Sequence, residues 1–169
     1  PPGIEYALLG FLRSGPEHGY HLHTQIENQD GFGLIWHLKQ SQLYAILSKL
    51  EKDGLLISSI QNQDPHPPRR IFTLTRNGHK VFEKWLNTPV DSLRLIRQEF
   101  MAKLYFAEEF SPGKRLELIN AQIVVCEKII GDVKNWHVDP GTFKWMVQQH
   151  RIGQLTSTID WLTKLLEIQ

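Results

Sequence analysis

Cysteine occurs once, at Cys126, which excludes an internal disulfide and any zinc site built from several thiolates. A lone thiol in a helical stretch reads as a small buried hydrophobe. No run approaches the roughly 18 consecutive apolar residues of a membrane span, and the first residues show no basic-then-apolar leader, so the expected location is the cytoplasm. The chain also lacks an HExxH helix, a phosphate-cradling glycine loop, a nucleophile elbow and a dinucleotide fingerprint. Neither an enzyme nor a cofactor is therefore expected. His18, His21 and His23, with His37 nearby, are spaced so that they do not share one helical face, and no metal centre is expected of them. Net charge is nearly absent too, because 19 Lys and Arg face 18 Asp and Glu, leaving +1. Affinity for phosphate depends on how charge is distributed, so this balance leaves nucleic acid open.

What is present is uneven. The 169 residues are 41% hydrophobic, enough to build the core of one ordinary domain or two small ones. Between Lys39 and Lys80 seven Lys and Arg meet only Glu51, Asp53 and Asp64, a local basic excess. The same stretch has the clearest pattern. Leu43, Ile46, Leu47 and Leu50 recur at i, i+3, i+4 and i+7, predicting an amphipathic helix whose opposite face carries Ser41, Gln42, Ala45, Ser48, Lys49 and Lys52. Ser41 suits its N-cap, and Asp53-Gly54 its end. Leu55 to Gln61 and Arg69 to Thr75 are β-prone runs, joined by a proline-rich tip from Asn62 to Pro68, and predict a hairpin with Arg69-Arg70 at its exit. Before them, Ile4 to Arg13 and a segment from Glu17 or His18 to Gln29 read as helices, with Gly19, Leu22 and Ile26 facing inward on the second. A helix followed by a basic hairpin predicts a winged helix whose third helix lies in the major groove.

The residues also carry a family resemblance. Leu8-Leu9-Gly10, Gly15-Pro16, His18-Gly19-Tyr20, Gln42-Leu43-Tyr44, Leu47, Leu50-Glu51 and Gly54-Leu55 resemble the PadR family of bacterial transcriptional regulators. The wing does as well, through Pro68-Arg69-Arg70-Ile71-Phe72 and Leu74-Thr75-Arg76-Asn77-Gly78, so that the likeness spans roughly residues 4 to 87. One departure is the tip, where Pro65-His66-Pro67-Pro68 replaces the usual glycine-bearing approach. The resemblance implies a transcriptional regulator, most often a repressor.

Beyond the wing, Thr75 caps an expected helix from Arg76 to about Asn87 with Val81, Phe82, Trp85 and Leu86 inward. Leu93 to Phe110 is a further apolar helix. Ser111-Pro112 then opens a long one to about Trp136, bearing Leu116, Ile119, Ile123, Cys126, Ile130 and Val133 as a heptad seam. After Val138-Asp139-Pro140-Gly141 the last helix repeats that spacing with Trp145, Ile152, Leu155, Ile159, Leu162 and Leu166, broken at Gln148 or Gln149. Seams of this kind mean helix-on-helix packing and leave open whether the second helix lies in the same chain or another. Three such helices resemble the dimerisation region of the longer PadR branch. The expected architecture is mainly α with a small β-hairpin: a winged helix-turn-helix over residues 1–88, then an α-helical dimerisation domain over 89–169.

The residues expected to meet double-stranded DNA follow from their chemistry. Gln40 and Gln42 suit adenine, Ala45 a thymine methyl, and Lys49 guanine or phosphate. Lys39, Ser41, Tyr44 and Lys52 suit phosphate, with Tyr44 equally readable as a half-buried core ring, and Arg69, Arg70 and His66 suit the backbone or minor groove. The expected homodimer uses Leu116, Ile119, Ile123, Ile130, Ile152, Leu155, Ile159 and Leu162, against a monomeric antiparallel bundle as the rival. Five tryptophans allow a pocket for a small aromatic or amphipathic effector, with Trp36 and Trp145 as candidates, although filling a helical core is the favoured reading of them. A winged helix that contacts only protein is the remaining alternative.

Overall fold

Leu8, Leu9 and Leu12 fall on one side of the first helix, and all three are removed from solvent. In the computed structural model, which describes residues 3–63, 65–110 and 112–168 and omits the side chains of Gln63, His66, Pro67 and Pro112, a 3₁₀ turn at Ile4–Tyr6 runs into α1 (Ala7–Phe11). A short strand β1 (Glu17–His18) follows, then α2 (Gly19–Ile26), with Gly19, Leu22 and Ile26 buried as their spacing predicts. This helix is shorter than expected. Glu17 and His18 pair antiparallel with Phe72 and Ile71 of the wing, and two residues bonded into a sheet are not available to a helix.

The next helix, α3 (Gln40–Lys52), buries Leu43, Leu47 and Leu50. Its N-cap is Lys39 rather than the expected Ser41: the Lys39 backbone is extended, and its amide donates to Gln42 Oε1 at 3.0 Å, so the carboxamide three residues on closes the turn. The C-terminus ends as Asp53-Gly54 predicts. Gly54 adopts φ +70°, its amide reaches the Glu51 carbonyl at 3.0 Å and that of Leu55 reaches Leu50 at 2.9 Å, a Schellman closure sealed by the buried Leu50 and Leu55.

The hairpin consists of β2 (Leu56–Gln63) and β3 (His66–Leu74), and the sheet order is β1-β3-β2. Leu56, Phe72 and Leu74 point into the core, and the register slips between Gln61 and Gln63. The expected tip loop is shorter than Asn62 to Pro68, because Pro67 and Pro68 are part of β3. They lie outside Ile71 and Phe72, the two β3 residues that β1 pairs with, so no bond to β1 depends on their missing amides.

Thr75 then caps α4 (Arg76–Asn87), its hydroxyl accepting the Gly78 amide at 3.0 Å. The predicted helix from Leu93 to Phe110 is built in three pieces: α5 (Leu93–Leu95), a π-helical turn (Ile96–Phe100) and α6 (Met101–Phe110). The long helices α7 (Pro112–Lys134) and α8 (Phe143–Glu167) fold back on each other, with Gln148 donating to the Val133 carbonyl near one end and Arg115 to the Ile168 carbonyl at the other. Ile119, Cys126, Val133, Leu155 and Leu162 are buried in one chain. Part of the heptad seam is thereby closed internally. Gln148, which interrupts the apolar pattern, is itself buried and donates to the carbonyls of Val133, in the last turn of α7, and of Trp136 just beyond it.

A single apolar core runs through the chain and crosses the expected boundary after Thr88. At its centre the Phe106 ring of α6 stands edge-on to Phe11 (5.1 Å between centroids) and Phe82 (5.4 Å), and Phe32 completes the cluster. No helix among the described residues is long and apolar enough to cross a membrane.

Candidate nucleic-acid interface

The buried leucines of α3 fix what its other side presents. Lys39, Gln40, Ser41, Gln42, Ala45, Lys49 and Lys52 are all exposed. Lys49 extends to Glu5, its Nζ donating to the carboxylate at 3.1 Å, and this hydrogen bond holds the ammonium above its usual pKa. It remains at the surface. Gln42 is partly committed, since the Oε1 that would accept from adenine already accepts the Lys39 amide.

The wing is tied to this helix. Arg70 lies across from Ile60 in the hairpin, its Nε donating to Ser58 Oγ at 2.8 Å and its Nη2 to Glu51 of α3, while Ser58 donates to the other Glu51 oxygen at 2.6 Å. The guanidinium also sits 5.1 Å above the Phe72 ring. The Ser58 hydrogen bond, opposed by partial burial and helped by the Arg70 charge, holds Glu51 below the usual carboxylate range. Arg70 is thus a brace whose charge is compensated. Arg69, the next residue along an alternating strand, points to the other face, is exposed, and makes no ion pair among the described residues. The His66 side chain lies outside the described residues.

Tyr44 is half-buried on the flank of α3, 6.3 Å from the Phe72 ring. Its hydroxyl comes so close to Gly19 that a Cβ built there would stand 2.5 Å away, so glycine at the start of α2 is a packing requirement. Tyr44, Arg69 and Arg70 line an open groove together with His18, Tyr20 and His21. Tyr20 is 72% exposed there. Tyr20 belongs to the His18-Gly19-Tyr20 motif and was not among the expected contact residues; an aromatic at the second residue of a helix that otherwise buries its apolar positions was the available signal.

Comparison with known proteins bears on this architecture. The model of the transcriptional regulator PadR-like family matches residues 8–84, spanning the three helices and the wing. Over its whole length the chain is similar to the negative transcriptional regulator PadR of Bacillus subtilis (strain 168), 28% identical with 96% of this chain and 95% of that protein covered. Residues 8–84 thus form a PadR-like domain. The fold agrees, because the crystal structure of Bacillus subtilis PadR in complex with operator DNA superposes over 98% of this chain and 97% of that one, with a TM-score of 0.50 at 24% identity. Members of the family act as transcriptional regulators and not as enzymes.

In this PadR-like chain a second feature lies behind the winged helix. The π-helical turn aims Glu99 inward, where its Oε1 accepts from Trp85 Nε1 at 3.0 Å and faces Lys103 Nζ at 3.2 Å, and Lys103 donates to the Thr88 carbonyl at 2.7 Å. Both charged residues are buried, and burial pulls the Lys103 pKa down against the pull of Glu99. Beside them is a cavity of about 500 Å³ lined by Tyr6, Val81, Trp85, Pro89, Val90 and Leu95. Its tryptophan is Trp85; Trp36 packs against Phe32 at 6.1 Å, and Trp145 stands on the first turn of α8. Nearby, Gln122 pairs with both the amide and the carbonyl of Val90 at 2.8 Å each, joining α7 to the link that follows α4. A buried amide and a buried ion pair have no periodic signature, which is why neither was foreseen.

Proposed function

We propose that this chain is a sequence-specific double-stranded DNA-binding repressor that acts as a homodimer on a palindromic operator. The observation that carries the reading is the outer face of α3, where Gln40, Ser41, Ala45, Lys49 and Lys52 are open to solvent beside a braced wing that offers Arg69. Short and amide-bearing side chains suit base edges and the lysines suit phosphate. Repression and an operator are brought in from the Bacillus subtilis relative, described as a negative regulator and seen with operator DNA. A single winged helix covers one half-site, so dimerisation adds a second α3 about one helical turn, or 10–10.5 base pairs, away. The apolar side chains that the α7–α8 hairpin leaves open or half-open support a second copy there: Leu116, Ile123, Ile130, Ile152 and Ile159, with Val124 64% exposed. Ile119, Leu155 and Leu162 hold the hairpin itself together.

An effector reading rests on the cavity beside Trp85. Its mostly apolar walls and inward charged pair suit a small aromatic or amphipathic molecule, whose binding between α4 and the helical arm would shift the two half-sites and release the operator. Quenching of tryptophan emission by a panel of phenolic compounds, lost on Trp85→Phe, is the expected result.

Selection of bound duplex from a random pool tests the main reading. The expected product is a palindrome whose affinity falls steeply with salt, with Lys49→Ala and Arg69→Ala each lowering the salt slope by about one. A chain that enriches no duplex is a winged helix serving protein contact, and one whose Lys49→Ala and Arg69→Ala variants both bind as the wild type does holds DNA on another face.

A further inference from the structure

We propose that His23 and Glu27 are positioning residues that set the first turn of α3 for base reading, by gripping both polar groups of one peptide residue, Leu38. The proposal rests on the DNA-binding reading above. Leu38 is the last residue before the N-cap, and its side chain is buried at 6% exposure. Its amide donates to Glu27 Oε1 at 2.8 Å, and its carbonyl accepts from His23 Nε2 at 2.8 Å. The two side chains stand one turn apart at the C-terminal end of α2, where the Glu27 amide also bonds the His23 carbonyl. They close on the linker like two jaws.

A buried connection must find partners for its backbone groups, and in most helix-to-helix links these come from turns or neighbouring backbone. Here two ionisable side chains supply them. The Leu38 amide is the largest influence holding Glu27 below the usual carboxylate range, with burial opposing and His37, 3.4 Å from the second oxygen, assisting. Glu27 is accordingly charged at neutral pH, and a charged acceptor makes the stronger hydrogen bond. A carbonyl can only accept, so His23 donates through Nε2, which therefore carries a proton.

The position makes this more than backbone satisfaction. Lys39, Gln40, Ser41 and Gln42 follow at once, and a base-edge hydrogen bond tolerates far less displacement than the attraction of a lysine to phosphate. Loosening Leu38 should therefore cost discrimination before it costs attraction.

The test uses the full chain, a duplex enriched by the wild type from a random pool, and a scrambled duplex of equal length. Glu27→Ala and His23→Ala are expected to weaken binding to the enriched duplex about tenfold while leaving the scrambled duplex and the salt slope unchanged. Glu27→Gln retains an acceptor oxygen and His23→Gln a donor nitrogen, so each should recover most of the loss. Circular dichroism establishes that each variant is folded; should Glu27→Ala not fold, the His23→Ala and His23→Gln pair decides. The inference is overturned if the alanine variants bind as the wild type does, if they lose both duplexes equally, or if glutamine is no better than alanine. A wild type that enriches no duplex instead overturns the DNA-binding reading and removes what these residues would position.

Discussion

Adjacent arginines on one strand do different work because a strand turns successive side chains to opposite faces. Arg70 is drawn onto Ser58 and Glu51, whereas Arg69 is directed outward beside the groove that Tyr20 and Tyr44 line. Removing Arg70 would leave Glu51 as an uncompensated negative charge beside the proposed phosphate path. Arg70→Ala is thus expected to weaken duplex binding more than Arg69→Ala, and adding Glu51→Gln should restore part of the loss, a coupling that a double-mutant cycle by gel shift measures. The same cluster has a pH signature. The Glu51 pKa is depressed, so its contribution to stability is complete above the ordinary carboxylate value and is lost as pH falls through the lowered one. Thermal melts between pH 6 and about pH 3 should show a shallower acid decline for Glu51→Gln than for the wild type. The arginine pair could be found in the sequence, and its division of labour could not, because Glu51 is 19 residues from Arg70.

At the scale of elements, the end of α3, the start of the wing and the start of α4 meet at one carbonyl. The Leu55 carbonyl accepts the Thr75 amide at 3.1 Å, and the Thr75 hydroxyl donates to Gly54 at 2.8 Å while capping α4. Gly78 is required there. A Cβ built on it would lie 2.0 Å from the Leu55 oxygen, so Gly78→Ala must push α4 off the hairpin. The expected cost is about 1–3 kcal/mol, from overpacking that outweighs alanine's better helix propensity, read as a lower urea midpoint with an unchanged slope. Helices with a clean apolar stripe were legible from spacing, as α3 and α4 were. β1 was not, since two residues carry no periodicity and become a strand only because β3 arrives beside them. The π-helical turn was hidden for a similar reason: the extra residue per turn is stabilised by the burial of Glu99 against Trp85 and Lys103, groups contributed by two other turns of helix.

At the scale of the molecule, the winged helix and the helical arm share their packing. Phe106 contacts Phe11, Phe32 and Phe82, and Gly10 lies so close that a Cβ on it would stand 2.6 Å from the Phe106 ring. Burying a phenylalanine contributes about 1.5–3 kcal/mol, and a chain cut after Thr88 loses Phe100 and Phe106 together. A fragment of residues 1–88 is therefore expected to bind a hydrophobic dye and melt without a cooperative transition, while the full chain melts sharply. A cooperative fragment would show that the division at residue 88 is one of stability as well as of sequence. The shared core also gives the cavity beside Trp85 a mechanical route to the wing, since α4 forms one of its walls and begins at the Thr75 junction.

The sequence by itself determined the helix-hairpin order, the buried face of α3, its glycine stop and the cap of α4, because each depends on neighbours within a few positions. Tertiary structure alone decided that Arg70 braces while Arg69 is open, that the α7 and α8 seams close in part on each other, and that a glutamate and a histidine hold Leu38. Those outcomes depend on groups far apart along the chain, and only packing brings them within reach of a hydrogen bond.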